Sequence, residues 1–179
     1  MMNAFTRRAA LVVAVAGLLT TSLLAADAKA APAAVPLADG KAAGTLTVNG
    51  KITKVAFAYA RSVPGFFDKN TKDVEVIVSD VALDAKALGD EFARAGLAKE
   101  GKLHAFEITI NAAGTPVSTT WRHDGFKGPT PGGLSSDDVF TKKVFDGKVV
   151  EGGYKSAKPG DFFDNTYAFD VTFRAAIAH

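Results

Sequence analysis

The stretch Tyr59–Thr71, YARSVPGFFDKNT, returns as Tyr154–Thr166, YKSAKPGDFFDNT. Aligned without gaps, the two tyrosines coincide, as do Pro64-Gly65 with Pro159-Gly160, Phe67 with Phe162 and the closing Asn-Thr. Beyond them Val74, Val76 and Val78 fall opposite Phe169, Val171 and Phe173, so the apolar parity is kept. Upstream, Asn49-Gly50-Lys51-Ile52 is matched by Asp146-Gly147-Lys148-Val149, with a two-residue length difference that a strand absorbs without turning its faces over. The pattern predicts one β-unit used twice: a tight turn, a strand, a Pro-Gly-Phe-Phe-Asp crossing and a second strand. In each crossing one Phe is expected to enter the core while the other covers a loop or sheet edge, because successive extended residues face opposite ways. Asp68 and Asp164 are expected to fix their turns by accepting backbone hydrogen bonds. The functional readings of the same residues are a pair of ligand-gripping loops, or two carboxylates brought together for acid–base work.

Which residues belong to the fold depends on export. Arg7-Arg8 precede an apolar run from Ala9 to Leu24, and Ala28-Lys29-Ala30 has the small-x-small pattern of a signal-peptidase site, so residues 1–30 read as a leader. The general secretory and twin-arginine routes both fit. Removing it takes away Arg7, Arg8 and Lys29 against Asp27, which cancels the formal net charge of +2. A neutral remainder with no basic cluster argues against nucleic acid and against an anionic membrane surface. No further membrane span is expected. There is no cysteine, which removes disulfides, thiolate catalysis and thiolate metal sites. The expected address is the periplasm or outside the cell.

Residues 31–43 read as a flexible lead-in, and residues 44–179 as one β-rich domain. Leu46 and Val48 alternate with threonines before Asn49-Gly50, a strong hairpin signal. Val55, Phe57 and Tyr59 alternate with Ala56, Ala58 and Ala60, large side chains on one face and small on the other. The period changes once: Asp84 as N-cap, Leu88, Phe92 and Ala95 at helical spacing, an Asp90/Arg94 pair and a terminating Gly101 predict one helix over 85–99. Strands then resume around Asn111–Gly114, in a register that sets Ile108 opposite Val117 and His104 opposite Trp121. A Gly, Pro and Ser segment from Asp124 to Ser136 reads as a functional or mobile loop. In all, about eight antiparallel strands and one helix are expected, closed as a sandwich or barrel.

No nucleophile elbow, zinc-protease motif, phosphate loop or calcium loop is present, which argues against catalysis. The residues that could bind a ligand are His104, Trp121, His123 and Phe126. The two histidines would be diagonal neighbours on one face, but two ligands with no evident carboxylate are too few for a tight site, so neither metal nor cofactor is expected.

Gly44-Thr45-Leu46-Thr47-Val48-Asn49-Gly50-Lys51, Gly65-Phe66-Phe67-Asp68, Phe145-Asp146-Gly147-Lys148 and Phe162-Phe163-Asp164 ahead of Thr166-Tyr167 together resemble a family of small exported bacterial β-rich proteins without established function. The likeness spans most of residues 44–177 and implies a fold but no activity. The resulting expectation is a non-enzymatic binding or structural module of the cell envelope, acting on a protein partner or on another copy of itself. A barrel-type carrier of a small apolar ligand is the alternative, and an enzyme of unrecognised type under the 124–136 loop a third reading.

Overall fold

Asn49 and Gly50 have φ of 50° and 80°, the pair of positive values that a two-residue type I′ hairpin requires. They fold β1 (Lys41–Val48) back on β2 (Lys51–Lys54). The computed structural model describes residue 37 and residues 39–179; the leader and most of the lead-in lie outside the described residues. β1 itself begins inside the segment read as lead-in. After β3 (Phe57–Pro64) and β4 (Lys72–Ser79) come α1 (Ala85–Gly89) and α2 (Glu91–Lys99). The chain continues through β5 (Ala105–Ile110), β6 (Pro116–Arg122), β7 (Val139–Phe145), β8 (Val149–Lys155), the short β9 (Gly160–Phe162) and the long β10 (Asn165–Ala178).

These strands form one sheet in the order β6-β5-β4-β3-β1-β10-β8-β7, with β2 added on β1 and β9 on β10. It curls into a half-barrel, which corrects the expectation of a closed barrel or a sandwich. Closure fails because the free edge of β6 is taken by the loop that follows it. Thr120 bridges to Gly132, and Gly133 N–H and the Thr119 hydroxyl bond across the same junction. β7 is left as a largely exposed second edge carrying Lys142 and Lys143, charges of the kind that discourage edge-to-edge association. Pairing is also not antiparallel throughout: where β1 has ended, the last residues of β10 run parallel to β3, with Ile177 opposite Ala60.

The concave face is a filled core. Phe106 meets Phe169 at 4.5 Å and Trp121 at 5.0 Å between ring centroids, and Tyr154 meets Phe169 at 4.9 Å. Leu46, Val76, Ile108 and Phe173 are fully buried around them. Of the alternating pattern in β3, the alanines point inward: Ala58 and Ala60 are core, and Tyr59 belongs to the opposite, convex side. Val55 is core as well, since Val55-Ala56 interrupt the strand and shift its parity.

The convex side carries the helical segment, which is two helices rather than one. Asp84 caps α1 as expected, accepting from Ala87 N–H. Asp90, placed inside the expected helix, instead has extended backbone and caps α2 by accepting from Phe92 and Ala93 N–H. Phe92 is therefore not part of an inward stripe but exposed. Arg94 is fully buried. Its guanidinium donates to Glu107 (2.7 Å) and to the last carbonyls of α1, Ala87 (2.9 Å) and Leu88 (3.2 Å), with Glu75 at 3.5 Å.

The register of β5 with β6 differs by two residues from the expected one: Phe106 lies opposite Trp121 and Ile108 opposite Thr119. An irregularity between Thr109 and Ile110 accounts for one residue of the offset, and the turn, where Asn111 N–H bonds to Thr115 O, for the other. The duplicated motif does not carry a duplicated pairing either. Tyr59 lies opposite Ile77 on the convex side, while Tyr154 lies opposite Val171 in the core. Under the sequence alignment Val171 matches Val76, so the two registers differ by one residue and place the aligned tyrosines on opposite faces.

Replacing Arg94 by Met leaves Glu107 buried with Arg122 as its remaining cation and strips two helix carbonyls of their donor. The expected loss is about 3 kcal/mol in urea unfolding. The double variant Arg94→Met/Glu107→Gln should recover at least about 1 kcal/mol of it, since the buried charge left with one of its two cations is gone.

Candidate functional site

Three strand ends meet at one end of the sheet. Ser79 of β4 lies opposite Ala105 of β5, which sets Asp80 beside His104. Phe106 lies opposite Trp121, which sets His104 directly across from His123 rather than diagonal to it. The imidazole centroids are 4.4 Å apart. Asp80 grips His104 twice: Oδ1 accepts from its backbone N–H (2.8 Å) and Oδ2 faces ring Nδ1 (2.6 Å). The other ring nitrogen, Nε2, faces Asp124 Oδ1 at 2.8 Å. Both ring nitrogens of His104 thus face a carboxylate oxygen.

His123 is buried and differently placed. Its Nδ1 accepts from Gly125 N–H (2.9 Å), which puts the ring proton on Nε2, facing Thr53 Oγ1 at 3.2 Å. Burial, reinforced by His104, pushes its pKa down to about 4. Asp124 is more exposed; hydrogen bonds from Lys51 (2.8 and 3.0 Å) and His104 hold its carboxyl at about 2 despite some desolvation. Lys51 Nζ also lies 3.3 Å from His104 Nε2. Lys51 and Thr53 arrive here because β2 starts immediately after the Asn49-Gly50 turn. That turn is itself tied down: Asn49 donates to Gly125 O and Asn165 Oδ1 and accepts from Thr166 N–H, all at 2.9 Å, and buried Asn165 accepts from Lys127 N–H at 2.8 Å.

All four sequence-derived binding residues converge at this place. Trp121 and Phe126 stack edge-on at 5.5 Å, and Phe126 lies 6.3 Å from the His123 ring. Trp121 and Phe126 are core residues whose outer rims, with His123, Asp124, Ala98 of α2 and Pro129 of the loop, line a cleft of about 510 Å³. Sequence reasoning missed Asp80, Asp124, Lys51 and Thr53. Asp124 was legible as the residue following His123 where strand alternation stops; Asp80, Lys51 and Thr53 enter only through pairing.

The two Phe-Phe-Asp crossings are not brought together. β10 begins at Asn165, opposite Phe162, and ends at Ala178, opposite Arg61 of β3, so the crossings sit at opposite ends of the sheet. Asp68 and Asp164 therefore form no acid pair. Asp68 accepts from Asn70 N–H at 2.9 Å within its own turn. In the first crossing Pro64 ends β3, Gly65 N–H donates to Thr71 O, and Phe66 N–H donates to Asp73 Oδ2. In the second, Pro159 precedes β9, which holds Gly160 and Phe162, and Phe163 adopts a φ of 50°. The expectation that one Phe of each pair enters the core is corrected. Phe66 and Phe67 stack edge-on at 5.0 Å, as do Phe162 and Phe163 at 4.8 Å, yet Phe66 is 48%, Phe67 81% and Phe163 76% exposed, and Phe162 is partly buried outside the core. In the first crossing Pro64 ends β3 before the rings are reached; in the second Phe162 lies on the short β9 and Phe163 in the turn that follows, so neither ring joins the core.

No family model, curated protein or solved structure matches this chain. No helix among the described residues is long and apolar enough to cross a membrane.

Unfolded, His123 titrates near its ordinary 6.5, whereas folded, among His104, Asp124, Lys51 and Asp80, it does so near 4. Between these values the unfolded chain holds the extra proton. Its contribution to stability is thus complete above about pH 6.5 and is lost as pH falls toward 4, about 3 kcal/mol at full extent. Urea midpoints from pH 7.5 to 4.5 should fall in the metal-free protein and fall less steeply in His123→Asn. Asp124 adds its own loss only below about pH 4, outside that range.

Proposed function

We propose that this chain is an exported, non-enzymatic binding module of the cell envelope that docks on a protein, either another envelope component or a second copy of itself. The observation that carries this reading is the aromatic pair in each crossing, of whose four rings Phe66, Phe67 and Phe163 are exposed and Phe162 is partly buried. Exposed aromatic pairs are costly on a monomer's surface, and aromatic side chains are the residues most enriched where protein surfaces meet. Phe163 takes its positive φ in the two-residue turn between β9 and β10, and its ring is left in solvent there. The leader at residues 1–30, the near-neutral remainder, the missing catalytic motifs and the resemblance to small exported β-rich proteins agree with it.

Carriage of a small apolar ligand inside a barrel has lost its premise, since the concave interior is filled with side chains. A different place favours that second reading: an open groove of about 480 Å³ on the convex side, between α1 and the ends of β3 and β10, lined by Tyr59, Ile77, Leu88 and Ala176.

Native mass spectrometry of the protein purified from its own periplasm separates these. Integer multiples of the chain, or a co-purifying protein, are expected and should vanish in Phe67→Ser/Phe163→Ser. That variant should keep its stability within about 0.5 kcal/mol, because both rings are exposed. A bare monomer at every concentration and no co-purifying protein would overturn the reading. Extra mass of lipid-like size lost on denaturation would move the groove ahead of it.

A further inference from the structure

The chain has three histidines, and two of them face each other across the β5–β6 strand ends with a carboxylate between. One ligating atom each from His104, His123 and Asp124 can be chosen so that all three lie within 4.8 Å of one another. The atoms the hydrogen bonding leaves facing inward are His104 Nε2, 2.8 Å from Asp124 Oδ1, and His123 Nδ1, 3.4 Å from the same oxygen. Each imidazole has its other nitrogen held from behind, His104 Nδ1 by Asp80 and His123 Nε2 by Thr53. Outer partners of this kind fix ring orientation and tautomer in metal-ligating histidines, and a carboxylate behind a histidine also raises its basicity as a ligand.

A further group marks where a cation is wanted. The Lys51 ammonium sits against Asp124 and 3.3 Å from His104 Nε2, at the place where a cation shared by the two would lie. What holds it is the negative charge of Asp124, with Asp80 behind. The Lys51 side chain is half exposed, so it can leave without opening the fold.

We propose that His104 Nε2, His123 Nδ1 and the Asp124 carboxylate form a binding site for a divalent first-row transition cation, and that the Lys51 ammonium is a displaceable stand-in for that ion. Two imidazoles and one carboxylate suit zinc and its neighbours rather than calcium or magnesium, which take oxygen donors. Three protein ligands leave a fourth position open beside the cleft, for water or a donor brought by whatever docks there. Binding displaces the Lys51 ammonium from Asp124 and His104 Nε2 and exchanges the Gly125 N–H on His123 Nδ1 for the ion. This inference is independent of the Phe-Phe crossings.

The test uses the tag-free full domain, stripped with chelator and titrated with zinc against a chromophoric competitor, then with cobalt(II) followed by its visible spectrum. One equivalent is expected, with four-coordinate cobalt absorption. Affinity should fall at least tenfold in His104→Gln and in Asp124→Asn, and tenfold to a hundredfold in Asp80→Asn, whose residue touches the ion only through His104. Lys51→Met should bind more tightly than the parent, a change no structural role for that lysine would produce. Being a surface substitution, it keeps the proposal testable should a histidine variant fail to fold. Weaker binding in Lys51→Met, binding abolished by His179→Ala alone, or no stoichiometric binding would overturn it. None of these would touch the protein-docking reading, which stands or falls on Phe67 and Phe163.

Discussion

One buried carboxylate holds the walls of the site at their spacing. Glu107, on the convex face of β5, accepts from Arg94 of α2 at 2.7 Å and from Arg122 of β6 at 2.9 and 3.3 Å. Arg122 lies between Trp121 and His123, and Arg94 lies one residue before Ala95 and one turn before Ala98 and Lys99, which form the facing wall of the cleft. A single acid thus sets the distance between helix and strand on either side of the opening. Arg94 also closes the end of α1 by taking its last free carbonyls, so the helical layer, the sheet and the cleft share one guanidinium. Two cations on one anion leave no buried side-chain nitrogen or oxygen among the described residues without a partner.

At the other level of organisation, the two ends of the sheet are built on different terms. One end is polar and densely bonded: the Asn49–Asn165 node, the Asp80–His104–Asp124–Lys51 chain and the His123–Thr53 contact knit β2, the 124–136 loop and the start of β10 together. The other is closed by a Pro-Gly turn whose polar groups bond within the turn and to Asp73, leaving Phe66 and Phe67 outside. Phe162 and Phe163 crown the polar end, so each end of the long β10 carries an aromatic pair on a framework of its own.

Local rules carried much of this fold. The Asn-Gly hairpin, the Asp84 cap, the terminating Gly101 at φ 69° and the alternating core positions of β4 and β10 follow from spacing and turn chemistry alone. What spacing could not supply were the choices made between distant segments. Asp90 reads equally well as a mid-helix ion-pair partner and as a cap, and only the burial of Arg94 against Glu107 selects the second. Trp121 could be placed on the inner face by parity, but the two-residue offset that brings His104 level with His123 depends on the length of the 111–115 turn together with an irregularity at Thr109-Ile110. The third donor, Asp124, lies just past the end of alternation, where period-two reasoning stops. The matching motifs invited a symmetry that the one-residue difference in register does not keep.

The 14-residue β10 is hydrogen-bonded to β1 on one side and β8 on the other, and its last residues reach β3. β1 pairs with little else beyond the short β2 and a single position of β3. Thr172 bonds to Ala43 across 129 positions of sequence, so the strand made first among the described elements waits for the one made last. The β3–β6 hairpins and the two helices close over short loops and can form early, whereas the seam joining them to the other half pays for a loop of nearly the whole domain. Folding should therefore be slow relative to a helical domain of this size, with β1 and β2 unzipped until late. Until β10 is in place, β1 and β2 have almost no other strand to pair with, so the last residues of the chain decide when the first become part of the sheet.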